Sequence, residues 1–535
     1  MTVERKILFG GRPFLPGFRA SSGVAIGISG DRIAYVGDLE DVRGAMGAGA
    51  EHIDMEGAFI SPGFIDGHCH LLSYGASLSA VDLSGCESIA DMKKIVAAAV
   101  AGADEGSWII GRGWNQELFD ERRFPRREDL DEVAPGVPVF LHRACGHAAV
   151  ANSVALARAG VTRNYPDSDA GYLERDDEGE PEGVLHEEAM LEVARIVPSP
   201  GVDEQRRHLR AAVARCHAAG LTSVQTNEWA EDLGELLDVY RGVRSEEGLA
   251  LRAYLDLPPE RLEDLQDRGL ATGSGDSWVK VGAIKLFADG SLGARSAALS
   301  RDYADDPGNS GTLVTSAEDL AMWSARAHSA GMQLAIHVIG DRALDVSLDA
   351  VEQAMQKWPR PSPRHRMNHC QIMREEQFGR MVGLECVASV QPKFVPTDML
   401  CAEARVGADL ARTSYSWRRM LDEGLVCAAG SDAPVEPIEP MLGIWAAVCR
   451  TDALGRPAGG WMPDQKVSAE EALVMYTSGS AYAEFAEREK GRLARGALAD
   501  LAVLAQDPRD VRPEEIRDIE VLETWVGGRT VWTTR

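Results

Sequence analysis

The stretch Phe59-Ile60-Ser61-Pro62-Gly63-Phe64-Ile65-Asp66-Gly67-His68-Cys69-His70 constrains this chain more than any other. Residues 58–65 are mostly apolar and carry no charge. That is the pattern of a parallel strand covered on both faces. Gly63 and Gly67 relieve backbone crowding near the strand end. His68 and His70 are two apart, so on an extended backbone both side chains point the same way. Two imidazoles on one face at a strand's C-terminal end can grip one metal ion. Taken alone, His-x-His is equally at home as two surface histidines. Cys69, between them, points to the opposite face and reads as a packing residue.

Size and charge narrow the class. The 535 residues suffice for a large core and more than one domain. A net charge of −27 argues against partners that are nucleic acids or anionic membranes, because phosphate binding needs a basic face. No apolar run reaches membrane-spanning length. Met1-Thr2-Val3-Glu4-Arg5-Lys6 leads straight into a strand-like segment, without the apolar core of a signal peptide. The nine cysteines are scattered without Cys-x-x-Cys spacing, as reduced thiols of a cytoplasmic protein would be.

Both ends of the chain read as short strands. Residues 6–10, 24–29 and 32–37 are separated by Gly-Asp turns, and 499–504, 521–526 and 530–532 mirror them. Neither end has enough strands for a comfortable domain alone. The expectation is one small β-sandwich built from residues 1–57 and 476–535, with residues 58–475 inserted as the catalytic domain. That middle region alternates strand-like and helical segments, the signature of parallel β/α architecture. After the His-x-His strand come candidates at 137–142, 222–226, 283–287, 333–338, 366–369, 386–391 and 426–432. The total is eight, the number a (β/α)8 TIM barrel requires. Stretches near 71–136 and 152–208 read as insertions, of the kind that form substrate walls or lids.

In such a barrel, functional side chains project from the C-terminal strand ends. The first strand ends in His68 and His70, the fifth carries His337, the sixth His369 and the eighth Asp432. His337 and His369 offer neutral imidazole nitrogens to zinc-like ions. Asp432 is a carboxylate for metal binding and for proton acceptance from an activated water. Singly, each residue is as well explained by a turn, a cap or a hydrogen-bonded histidine. Their joint placement at strand ends of one barrel favours a metal site. Lys285, in Ile284-Lys285-Leu286-Phe287 on the fourth strand, is costly to bury as an unpaired ammonium. It reads as a CO2-derived carbamate bridging two metals, as a lysine paired with Asp289 or Glu187, or as a solvated side chain in a shifted register.

The chain resembles the amidohydrolase superfamily, and more closely its YtcJ-like branch (amidohydrolase family 3), which includes N-substituted formamide deformylase. The matching stretches are residues 62–70, 111–116, 146–152, 183–187, 285–293, 337–343, 369–371 and 430–434. The resemblance implies a (β/α)8 barrel, a split β-sandwich and metal-dependent hydrolysis, usually with zinc. It assigns metal ligation to His68, His70, His337, His369 and Asp432, with Lys285 where a bridging carbamate lies in some branches. Asp432 is then the expected general base, and His337 also polarises the carbonyl in a two-metal arrangement.

The expected activity is hydrolysis of a C–N amide-type bond in an N-acyl or N-formyl small molecule. A deaminase or an ester or lactone hydrolase would use the same water attack. A silent barrel scaffold would have lost its ligand residues. Trp114 and Phe119 are candidates for an apolar substrate wall or for packing, and His147 for reaching the site or capping a turn. Asp289 sits where it can meet Lys285 or substrate, and Arg295 is assigned to a substrate carboxylate on charge alone. Family habit and exposed sandwich edges suggest a homodimer.

Overall fold

The computed structural model describes residues 4–19, 23–103, 106–143, 148–166, 171–187, 189–229, 232–246 and 248–534. The chain divides into two compact units, Met1–Gly75 with Arg206–Arg535, and Ala76–Gln205.

The larger unit contains the barrel. Eight parallel strands form one sheet in which each pairs with the next in sequence: Phe64–Cys69, Leu221–Asn227, Arg252–Leu257, Val279–Phe287, Gln333–Val338, Arg366–His369, Val387–Val390 and Val426–Ala429. Most residues of these strands are buried, which is why they read as near-continuous apolar runs. The sheet nearly closes where the first strand meets the eighth. The Asp432 amide donates to the His68 carbonyl (2.7 Å), and the His70 amide to the Ala433 carbonyl (2.8 Å). Gly430 lies at this seam, and a Cβ there would sit 2.4 Å from His68 N. Only a residue without a side chain lets the two backbones approach so closely. Asp66 fastens the same seam by accepting from Ser431 Oγ (2.6 Å), Ser431 N (3.1 Å) and His68 N (3.0 Å). Burial outweighs these bonds and raises its pKa to about 7.

Two strand assignments need correction. Residues 137–142 do not supply a barrel strand: Val139–Arg143 lies in the sheet of the smaller unit. The third barrel strand is Arg252–Leu257, which carries two charges in a buried run. Arg252 pairs with Asp500 (2.6 Å), and Asp256 pairs with the equally buried Arg366. The opening stretch is also two strands rather than one. Phe59–Pro62 belongs to the sandwich and Phe64–Cys69 to the barrel. The break is at Gly63, where a Cβ would fall 2.2 Å from Thr222 Oγ1.

The two chain ends do meet in paired sheets. One has four strands in the order Arg32–Asp38, Val24–Ser29, Arg5–Phe9, Glu51–Asp54. The other has six, in the order Arg529–Thr533, Val521–Val526, Leu501–Leu504, Phe59–Pro62, Arg12–Leu15, Phe18–Arg19. Leu501–Leu504 runs antiparallel to Phe59–Pro62, so the C-terminal segment zips onto the N-terminal one. Leu8, Ile26, Ile60, Leu501 and Trp525 share the core between the sheets. The short helix Ser480–Ala483 packs on the first and eighth barrel strands, so the C-terminal share of the sandwich starts later than residue 476.

The smaller unit has its own six-stranded sheet, in the order Gly171–Arg175, Pro181–Glu187, Ala148–Ala151, Val139–Arg143, Ile109–Trp114, Val81–Asp82. Helix Ile89–Ala101 covers one apolar cluster, which includes Met92, Val96, Trp114 and Phe119. No helix among the described residues of either unit is long and apolar enough to cross a membrane.

Candidate metal centre

The register of the barrel carries the ligand-type side chains to one end. Phe287 pairs with His337 and Val338 with His369, so the fourth, fifth and sixth strands finish side by side. The seam brings the eighth strand's Asp432 onto the first strand's histidines. His70 Nε2 lies 3.1 Å and His68 Nε2 3.3 Å from Asp432 Oδ1. These three residues form a group with donor atoms all within 4.8 Å of one another. The His68 and His369 rings are 5.1 Å apart and the His369 and His337 rings 4.5 Å apart, which extends the cluster around the barrel mouth.

Backbone geometry at the strand ends is unusual. His369, Cys370 and Asp432 have φ of 77°, 46° and 59°, conformations that cost non-glycine residues of order 1–3 kcal/mol each. Strain of this kind persists where surrounding structure over-determines it, and it aims His369 and Asp432 into the mouth.

Protonation suits a cation. Burial, then the charge of Lys285, lowers His68 to about 3 and His337 to about 4. His369 is held well below the ordinary imidazole value by burial and the neighbouring His337. All three are therefore neutral at pH 7, as metal ligands must be. Burial works against ionisation of Asp432, but the hydrogen bonds of His68 and His70 and the surrounding imidazoles hold its pKa well below the usual carboxylate value.

Three side chains that sequence reasoning missed orient the imidazoles. His369 Nδ1–H donates to Gln391 Oε1 (2.7 Å), leaving Nε2 as the lone-pair atom. His337 Nε2–H donates to the Gly290 carbonyl (3.0 Å), leaving Nδ1. Asn368 and Asn227 amides lie 3.1 Å and 3.3 Å from His68 Nδ1, and the Oδ1 atoms of both are buried without a partner among the described residues. As the structure stands, both carboxamide N–H groups face the His68 Nδ1 lone pair and His68 Nε2–H donates to Asp432. A half-turn of the Asn368 amide would let its oxygen accept from Nδ1–H and leave Nε2 with a lone pair for a cation in place of that bond. Such partners fix the tautomer of ligating histidines. The only trace in the sequence is a carboxamide beside or opposite each histidine at a strand end.

Lys285 completes the pattern. It is 2 % exposed, and its Nζ has no hydrogen-bond partner among the described residues. It lies 4.8 Å from the Phe287 ring. The solvated alternative for Lys285 is therefore overturned. Pairing with Asp289 is excluded too, because Asp289 spends its carboxylate on the amides of Gly340 (2.8 Å), Ala298 (2.9 Å) and Ile339 (3.0 Å). The side chain of Glu187 and the whole of His147 lie outside the described residues. His68, His70 and Asp432, with His337 and His369 beside them, form a donor set that fits a metal ion.

The remaining substrate-contact assignments change. Asp289 is a buried anchor for the loops after the fourth and fifth strands, with burial raising its pKa to about 7. Replacing it with Ala is expected to lower stability by on the order of 3 kcal/mol, because three amides lose their acceptor. Thermal or denaturant unfolding of the variant checks this. Arg295 is held in a two-pronged ion pair by Asp305 (3.0 and 3.1 Å), a carboxylate that Arg405 also shares. Trp114 is fully buried in the smaller unit, with its indole N–H on the Leu141 carbonyl (2.8 Å), and it packs there beside Phe119. An indole with both its faces and its N–H used internally has nothing left for a substrate.

Comparison with known proteins agrees with this geometry. A model of the amidohydrolase family matches residues 51–532. The chain is 34 % identical over 489 residues to the putative amidohydrolase YtcJ of Bacillus subtilis, covering 90 % of each protein. It is 31 % identical over 528 residues to N-substituted formamide deformylase of Arthrobacter pascens, covering 95 % of each. An uncharacterized metal-dependent hydrolase from Pyrococcus furiosus superposes with a TM-score of 0.79 at 33 % identity, over 95 % of this chain and all of that one. With a family model spanning most of its length and relatives similar from end to end, the chain belongs to the amidohydrolase family.

Proposed function

We propose that this protein is a metal-dependent hydrolase that cleaves the C–N bond of a small N-formyl or N-acyl amide. The observation that carries the reading is Asp432: an ionised carboxylate 3.1 Å and 3.3 Å from two imidazole nitrogens, with two further imidazoles converging beside it. Similarity to a formamide deformylase along the whole chain supports the choice of bond. When bound, a zinc-type cation would supply an activated water at neutral pH and positive charge for the carbonyl oxygen. Asp432 accepts the proton released by that water as a new C–O bond forms. It then passes the proton to the departing nitrogen. His68, His337 and His369 stay neutral and keep their lone pairs for the cation. Asn368 and Gln391 hold the ring orientations that this requires.

Lys285 is assigned to the same site. Burial lowers its pKa to about 7, so an uncharged amine is accessible near neutrality. That amine can add to CO2, forming an N–C bond and releasing one proton. The resulting carbamate would carry a negative charge in place of an unsatisfied donor and would offer oxygen ligands to a bound cation.

Zinc-loaded protein is expected to release a carboxylic acid and a free amine from N-formyl and N-acyl amines, to lose this activity on chelation and to regain it with zinc. Amine release measured across a panel of amides, esters and cyclic amidines tests the assignment. Turnover confined to esters or amidines would reject it.

A further inference from the structure

His70 directly follows the first barrel strand and opens the helix Leu71–Ser79, whose Tyr74 amide donates to the His70 carbonyl (2.7 Å). A residue in this capping position commonly turns its own side chain onto the first free amides of the helix. The His70 ring is instead turned to Asp432 (3.1 Å). The second barrel strand supplies the missing acceptors. Thr226 Oγ1 accepts from the Leu71 amide (2.8 Å), and Glu228 Oε1, just past the strand end, accepts from the Leu72 amide (3.4 Å). Thr226 donates its hydroxyl proton to the same Glu228 oxygen (2.7 Å), and so does Tyr240 (2.5 Å), on the helix Leu233–Arg244. All three side chains are buried, and Glu228 has no ion-pair partner among the described residues. Burying a carboxylate without a counter-cation is costly. Here its bonds lead to the two residues that follow a proposed metal ligand.

We propose that Thr226, Glu228 and Tyr240 form a substitute helix cap that positions His70 for the metal ion. The inference rests on the metal-centre reading and adds three positioning residues, none of them a ligand. The amides of His70, Leu71 and Leu72 are held in succession. Ala433 takes the first through its carbonyl (2.8 Å), on the eighth-strand side, and Thr226 and Glu228 take the next two from the second strand. The backbone that carries the imidazole is thereby fixed from both sides. The direction of each bond is set by chemistry. An ionised carboxylate only accepts, so both hydroxyls aim their protons at Glu228, and the Thr226 lone pairs are left facing the Leu71 amide. The negative charge also suits the positive end of the helix. Partners that orient a ligand without touching the metal typically contribute about 10- to 100-fold in metal affinity.

Zinc affinity, measured by competition with a chromophoric chelator, tests this without any substrate. Thr226→Val keeps the side-chain shape and loses the hydroxyl. It and Tyr240→Phe are each expected to weaken zinc binding about tenfold or more. Thr226→Ser retains the hydroxyl and is expected to stay within about threefold of wild type. Tyr254→Phe is the control for a lost buried hydroxyl. Tyr254 is buried on the third barrel strand and donates to Gln333 (3.0 Å), which opens the fifth strand at the end opposite the ligands. Its variant should bind zinc as wild type does. Wild-type affinity in both Thr226→Val and Tyr240→Phe would overturn the proposal. So would a loss of the same size in Tyr254→Phe or Thr226→Ser, since affinity would then follow general stability or packing. If Thr226→Val does not fold, Tyr240→Phe against Tyr254→Phe decides. Absence of zinc binding by the wild type would reject the metal centre itself, and the proposal with it.

Discussion

Replacing Asp432 with Asn is expected to lower kcat by about 10²–10⁴-fold while zinc stays bound. The substitution keeps a carbonyl oxygen of the same reach beside His68 and His70 and leaves His337 and His369 untouched. What it removes is basicity, since an amide oxygen does not take up a proton near neutral pH. Asp432 is also held by its backbone, through the amide that donates to the His68 carbonyl (2.7 Å), so the side chain stays in position. Metal analysis and steady-state kinetics on one preparation separate the two roles. Near-normal turnover with full metal content would remove Asp432 as the proton carrier. Loss of metal together with activity would reduce it to a ligand.

Lys285→Met is expected to have opposite effects on function and on stability. With metal and bicarbonate present, the wild type should carry a CO2-sized mass increment under non-denaturing conditions and two metal equivalents per chain. The variant should lose the increment and one equivalent, and its activity should fall by on the order of a hundredfold or more. Without metal, the variant should be more stable than the wild type near neutral pH by about 1–3 kcal/mol, because it removes a buried amine that has no partner. The sign of the pH dependence follows from the depressed pKa, about 7 in the folded chain against an ordinary 10.5. Below about pH 7 the ammonium is buried at full cost. Between about 7 and 10.5 the unfolded chain still binds the proton and the folded chain does not, so wild-type stability rises with pH. The advantage of Lys285→Met should therefore shrink across that window. Metal stoichiometry, intact mass and denaturant titrations at several pH values check each part. One metal equivalent and no mass increment in wild type would leave Lys285 as an uncarbamylated amine.

Much of the centre was legible along the chain because its parts are local. His68, His337 and Asp432 each close a short, mostly apolar stretch, with His70 two residues after His68, and a parallel barrel sends such ends to one face whatever their separation in sequence. The union of the two termini was legible for a related reason: neither set of strands suffices alone. The third barrel strand was not legible. Arg252 and Asp256 read as surface charges until Asp500 and Arg366 are seen opposite them. Val139–Arg143 is apolar enough for a barrel strand, and only strand pairing places it in another sheet. Trp114 and Arg295 carried site-like chemistry, yet the Leu141 carbonyl holds the one and Asp305, shared with Arg405, holds the other. Asn368 and Gln391 went unnoticed because carboxamides are common and their value lies in one contact each.

The amino-acid sequence by itself determined the architecture and which side chains close the barrel strands, because strand burial, glycine at crowded backbone and the residue closing each strand are properties of neighbouring residues. The tertiary structure alone decided which polar groups are paired. Among the described residues it left Lys285 Nζ and the Asn368 oxygen without partners, it gave three backbone amides to Asp289, and it stacked Trp229 on Phe287. The physical reason is that a hydrogen bond or ring contact depends on atoms a few ångströms apart in space, and in this barrel those atoms come from strands tens to hundreds of residues apart.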